Sequence, residues 1–465
     1  MERIIQQLAL DMAKKITEKA LYGGLTDIDA LSSEILPCCK DTACRILETI
    51  VESLNLNFRE NKADRKVLGL VIKEKDRDRS LLTELGPINI HRDCYYNKFT
   101  GHCETTLDKM IGIEAYARTG SNVCAKLLES ATQMSYAKSS KAITGDCLSR
   151  QSVHDIVSKA PILEAEAKTL SKPVKELHIY ADEDHVHLQK EGKEKGKKNT
   201  TVPLVTVTEG IQRISKSRNK TINACHFVDE NFSTQDLWES VTGYLLKAYD
   251  TENTKIYIYG DGGSWIKRGL EEIPNSEFVV DGYHYERELR KISKLNPQCR
   301  FSQRMHMAAF RSDREAADSA IQDLKKGLSK EQLKEAGDFE KFIDANWDAI
   351  VRKSASMTTG SCTEAQVSHV LSERFSRNPM GWSKKNLGIL TKARTYCLNG
   401  GKIGAKDFRT NSEERQSYRE YAEEMLKSSV GGCLDWRMFD VESTNAMAGT
   451  SYYRTESGGR GRLLS

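Results

Sequence analysis

No apolar run in this sequence approaches the roughly 18 to 20 residues needed to cross a bilayer, so no membrane span is expected. The opening residues, MERIIQQLALDMAKKI, are amphipathic and carry acids, without the basic-then-apolar order of an export signal. A cytoplasmic protein with no membrane partner is the expectation. Excess charge of one sign is also missing, since 70 Lys and Arg face 66 Asp and Glu for a net charge of +4. Such a balance neither demands nor excludes nucleic acid, because local patches outweigh the sum. Metal-knuckle cysteine spacing is absent too. The 12 cysteines are scattered apart from the adjacent Cys38 and Cys39, and without an export signal reduced thiols are the default. Cys94 and Cys103 flank a tight turn, which leaves a zinc contact and plain packing as two readings. There is no internal repeat.

What is present is a polar, folded chain of 465 residues, 38% hydrophobic and 29% charged, long enough for two to four domains. Residues 1 to about 75 read as helices, with Ile4, Ile5, Leu8, Met12 and Ile16 at helical spacing and a second run from Thr42 to Leu56 after a break at Pro37. Residues 76–110 alternate and turn at Thr100-Gly101, a hairpin signal. Between 114 and 160 the helical pattern returns. Gly145 is placed to close one helix and Ser149 to cap the next. Two short helices, a turn and a capped third helix suggest a helix-turn-helix over 111–172, with Arg150, Gln151 and Ser152 where base edges would be read. An ordinary helical pair fits the same pattern.

From about 175 strands dominate: LHIYA (177–181), His185 to Gln189, VPLVTVT (202–208) and INACHFV (222–228). After a helix at 234–249 come the strand KIYIYG (255–260), a helix starting in GSWIKRGLEEI and the strand EFVVDG (277–282). An antiparallel group followed by strand–helix units is an α/β order. It predicts a ribonuclease-H-like catalytic core (173–284 and 359–400) with a helical insertion (285–358). A mainly helical N-terminal DNA-binding region precedes it, with helices and a β-hairpin in 1–110, and a tail region (401–465) follows.

Two acids stand where strands end, Asp182 after LHIYA and Asp261 after KIYIYG. Neighbouring strand ends would bring two carboxylates together, which is unfavourable unless a cation neutralises them. Hard oxygen ligands suit Mg2+ or Mn2+, and a pair of such ions supports phosphoryl transfer. Each Asp alone fits a turn or a helix cap equally, Asp261-Gly262 above all. Glu183, Asp184, His185 and His187 crowd Asp182 and allow a mononuclear site as an alternative. Lys195, Lys197 and Lys198 lie in a basic loop that either contacts phosphates or is a solvated hairpin tip. Trp347 either stacks on a base or packs in a core. Arg374 and Arg377 either hold a DNA backbone or solubilise a helix.

ADEDHVHLQ, YGDGGSWIK, VVDGYHYERELRK and EAQVSHVLSERFSRNPMGWS together resemble the transposases of the ISLre-two family of bacterial insertion sequences, from about 85 to about 400. That family is related in architecture to Mutator-like transposases. The resemblance implies a DDE triad whose aspartates fall on Asp182 and Asp261. It places the glutamate on Glu364 in EAQVSHVLSERF, although SCTEAQ departs from the family's usual glycine after the acid. Glu442 in VESTNAMAG is the rival. A C/D-x-x-H motif falls on Asp281 to His284, where a polar pair would order the phosphate backbone or orient the edge of the site; a buried structural His is the other reading. The implied activity is cleavage and joining of transposon ends with two Mg2+ or Mn2+ ions. The implied partners are double-stranded DNA (terminal inverted repeats and target) and further copies of the chain, as a homodimer or larger assembly. A nuclease on the same fold and a domesticated DNA-binding derivative are the alternatives.

Overall fold

A computed structural model describes residues 1–22, 27–164, 170–189, 199–215, 218–355, 362–378, 380–409 and 413–430. Lys195, Lys197, Lys198 and Glu442 lie outside the described residues. The chain divides into two compact units, one made of residues 1–118 with the C-terminal helix Glu413–Val430, the other of residues 119–409.

In the first unit, helices Glu2–Tyr22 and Ile28–Glu60 precede the antiparallel sheet of β1 (Leu70–Leu82), β2 (Pro87–Asn97) and β3 (Cys103–Glu104). Pro37 does not break the second helix, which runs through it. The residue is exposed, so water can reach the Ser33 carbonyl that a proline leaves without its helical donor. The β2–β3 hairpin turns as expected, with Gly101 at φ +73°. β1 is a strand where helix was expected to continue. Its segment KEKDRD is exposed on both faces, so it shows no apolar alternation, and pairing with β2 alone makes it a strand. Phe58, Ile90 and Tyr95 form the core against Tyr421 of the C-terminal helix.

The second unit is built on a mixed five-stranded sheet. Its strands are β4 (Glu176–His187), β5 (Asn199–Thr208), β8 (Cys225–Phe227), β9 (Lys255–Gly260) and β10 (Ser276–Val280); β6 (Ile211–Arg213) and β7 (Asn219–Thr221) form a separate ribbon. The order across the sheet is β10-β9-β4-β5-β8. β4, β5 and β8 are antiparallel neighbours, whereas β4, β9 and β10 run parallel. One long strand, β4, replaces the two expected between 177 and 189, because β5 pairs along its whole length.

Leu177, Ile179, Val205, Ile256 and Ile258 pack one face of the sheet on helices that contribute Trp238, Leu289, Ile321 and Ile343. Tyr180, Tyr259 and Val279 line the opposite face. Helices Ser121–Ala131, Tyr136–Thr144 and Arg150–Ser158 pack together in this unit, with Gly145 left-handed at φ +59° as the C-cap and the Ser149 side chain accepting from Ser152 N–H at 3.1 Å. Helix Lys384–Leu398 is buried along most of its length, from Asn386 to Thr395. Its sequence hides this, because buried Lys392, Arg394, Thr391 and Thr395 interrupt the apolar pattern. Among the described residues, no helix is long and apolar enough to cross a membrane.

Candidate metal centre

Asp182 lies on β4, two residues beyond the last paired position, Tyr180↔Tyr259, of the parallel ladder with β9. Continuing that register sets Asp182 beside Asp261, the first residue after β9. The turn after Asp261 requires glycine: Gly262 has φ +94°, and the Gly263 N–H donates to Asp261 Oδ1 at 2.9 Å. Gly260 is constrained by space, since a Cβ there would lie 2.7 Å from Ile266 and 3.1 Å from the Ala181 carbonyl.

Glu364 arrives from far along the chain, in the first turn of helix Thr363–Val367. A π-turn, Ser368–Ser372, follows directly, a local widening often found at functional sites. Asp182, His284 and Glu364 each direct one ligand atom into a group whose atoms lie within 4.8 Å of one another. Asp261 is exposed and outside that group, yet close enough for its charge to act on Asp182. Burial, reinforced by the charges of Glu364 and Asp261, pushes the Asp182 carboxyl up to about 6, although the Glu183 N–H and His284 pull the other way. These crowded acids are a donor set that a hard divalent cation fits.

Behind this group sits Asp281, fully buried. It caps helix Gly282–Ser293, accepting from Tyr283 N–H and His284 N–H at 3.0 Å each. The same carboxylate faces His284 Nδ1 at 3.0 Å and accepts from Thr363 Oγ1 at 2.7 Å. His284 Nε2 stands 3.2 Å from Glu364 Oε1. One buried acid thereby fixes both the imidazole and the start of the helix that carries Glu364. The Asp281 hydrogen bond is the main influence raising the His284 pKa, opposed by burial.

The other expected residues fall in varied places. Asp281 cannot touch DNA, because it is enclosed; its part is positioning. Arg374 is likewise enclosed, at 4% exposure. It donates to the Ala131 and Met134 carbonyls at 2.9 and 2.8 Å, and its guanidinium lies over the Trp382 ring. The carbonyls that a helix leaves unpaired at its C-terminus account for this placement, so Arg374 is a structural clasp and not a DNA contact. Arg377, three residues on, is exposed. Trp347 is half-buried against the core, with the Arg314 guanidinium over its ring at 5.3 Å. Arg150 and Gln151 are exposed at the start of their helix and Ser152 is half-buried.

The crowd around Asp182 disperses. His187 Nδ1 pairs with Asn199 Oδ1 at 3.0 Å, and Asp184 accepts from Ser376 Oγ at 2.8 Å. Among the described residues, no cysteine joins a metal-capable group. Sequence reasoning missed Thr363; its position immediately before Glu364 was the available signal.

Fold and site together define an α/β protein in which a carboxylate from the central strand β4 meets a histidine and a glutamate from the first turns of two helices. The chain belongs to the family described as "Uncharacterised protein family (UPF0236)", whose model matches residues 23–412. It is 33% identical over 415 residues to UPF0236 protein TTE0402 of Caldanaerobacter subterraneus subsp. tengcongensis, covering 86% of this chain and 80% of that one. A second relative from that organism is named UPF0236 protein TTE0033/TTE0744/TTE0838/TTE0852/TTE1082/TTE1247/TTE1519/TTE1678/TTE1739/TTE1823/TTE2212 and is 32% identical over 441 residues, 92% of this chain and 91% of that one. The "UPF0236 protein in vanSb 3'region" of Streptococcus gallolyticus is 24% identical over 314 residues, 63% of this chain and 67% of that one.

Proposed function

We propose that this chain is a DNA transposase of the DDE type, acting in the cytoplasm as a dimer or larger assembly that holds two element ends. The observation that carries the reading is the meeting of Asp182 with Glu364, beside Asp261 at the first position after the next parallel strand. Three antiparallel strands followed by two that run parallel to the first, in the order β10-β9-β4-β5-β8, are the arrangement a ribonuclease-H-like core requires. The name of one relative joins eleven locus designations, as a gene repeated within one genome would. Repetition of that kind suits a mobile element.

Asp182, Asp261 and Glu364 would hold two divalent ions, Mg2+ or Mn2+, which when bound activate an attacking oxygen and stabilise the leaving one. The protein's own residues set the geometry. Asp281 holds His284 and Thr363, and through them the Glu364 end of the site. Arg150, Gln151 and Ser152 are candidates to read the terminal inverted repeats, and exposed Arg377 to meet phosphates.

The test is cleavage of DNA carrying the element's ends, with Mg2+ or Mn2+ supplied. Asp182→Asn and Asp261→Asn should each abolish cutting while leaving DNA retention in a gel-shift unchanged. Normal cutting by Asp182→Asn would refute the assignment. A strand-transfer assay in the same samples separates a transposase from a nuclease, which would cut without joining.

A further inference from the structure

The histidine of the cluster has a donor arrangement that the three acids do not explain. Asp281 is fully buried and takes hydrogen bonds from two backbone N–H groups and from Thr363 Oγ1. A carboxylate engaged as an acceptor in this way faces His284 Nδ1 at 3.0 Å, so Nδ1 is the nitrogen that donates. In the neutral ring, Nε2 then carries a lone pair. That lone pair points at Glu364 Oε1, 3.2 Å away, with an Asp182 oxygen inside the same 4.8 Å group. A proton on Nε2 satisfies this contact in the metal-free protein, and a divalent ion among the same atoms would take that proton's place. A histidine whose second ring nitrogen donates to a carboxylate is also the recurring form of a metal-ligating imidazole.

We infer that His284 Nε2 is a direct ligand of the ion held by Asp182 and Glu364, and that the site therefore takes a divalent first-row transition ion in preference to Mg2+. The inference rests on the metal-dependent reading above and deepens it. Mg2+ takes oxygen ligands and gains little from an imidazole, whereas transition ions bind mixed nitrogen and oxygen sets. Asp281 is then a positioning residue, fixing the ring so that Nε2 faces the ion.

The experiment uses the full chain, without DNA, and Mn2+ as the probe. Pulsed electron paramagnetic resonance of bound Mn2+ should show coupling to a nitrogen-14 nucleus, and incorporation of nitrogen-15 histidine should convert that signal. In His284→Gln the coupling should vanish, and the preference for Mn2+ over Mg2+ in competition titrations should fall. Asp281→Asn should keep the coupling while Mn2+ affinity drops by about 10- to 100-fold. Asp182→Asn should lose the nitrogen-coupled signal, tying it to this cluster even where His284→Gln folds poorly. Bound Mn2+ without nitrogen coupling in the wild type would overturn the inference and leave His284 as an ion-pair partner of Glu364. So would coupling that survives in well-folded His284→Gln. DNA cutting by a protein that lacks the coupling would remove the ligand assignment alone. A histidine-coupled Mn2+ site in a protein that never cuts would uphold the ligand and remove the transposase reading.

Discussion

At the scale of the residue, Asp182 is held where its charge is unfavourable. Burial raises its carboxyl to about 6, well above the ordinary aspartate range, so the folded state binds the proton more tightly than the unfolded chain. The charged carboxylate therefore costs stability above pH 6, and that cost fades as the pH falls toward 4. Metal-free Asp182→Asn should be more stable than wild type by about 1 to 2 kcal/mol at pH 8, with the gap closing at pH 4. Urea unfolding at the two pH values, with chelator present, measures this. A variant less stable than wild type at pH 8 would show that the site is not short of a cation. With Mn2+ added the order should reverse, because only the wild type gains from the ion.

At the scale of the element, two arginines of similar appearance in the sequence do different work. Arg374 secures the carbonyl of Ala131, the last residue of helix Ser121–Ala131, and that of Met134 just beyond it, while Arg377 stands in solvent. Arg394 does comparable work, donating to the Val370, Thr132 and His369 carbonyls. Arg374→Ala should lower stability by about 3 kcal/mol, since it leaves buried carbonyls without donors. Arg377→Ala should leave stability within about 0.5 kcal/mol and should reduce the salt dependence of DNA binding. Thermal unfolding and a salt titration distinguish them; equal stability losses in both variants would contradict the assignment. The chain's text could not separate the two, because the partners of Arg374 lie some 240 positions upstream. β1 was illegible for a different reason: its middle segment, exposed on both faces, leaves no apolar period to detect.

At the scale of the whole molecule, the unit of residues 119–409 is contiguous, whereas the other joins residues 1–118 to the C-terminal helix. A fragment spanning 119–409 should fold cooperatively and bind Mn2+ as the full chain does, measured by circular dichroism and titration. Gradual, uncooperative melting would mean that the unit is not autonomous. Conversely, ending the chain at 409 should destabilise the first unit, because it removes Tyr421 from Phe58 and Asp64, and Arg415 from Glu114.

The amino-acid order by itself determined the strands with strong apolar patterns, the caps at Gly145 and Ser149, and Asp261 just after a strand end; Asp182, expected at a strand end, lies instead inside the long strand β4. Each is a local signal, a period or a turn residue readable within a few positions. Glu364 came from resemblance, not from any local period. Only the tertiary structure decided that Asp182, His284 and Glu364 converge, that Asp281 is sealed behind them, and that Arg374 faces inward. Those facts depend on contacts between distant segments, such as helix Thr363–Val367 against β4. Convergence of charge in a partly buried place is a property of the folded chain alone, and the proposed cation would answer it.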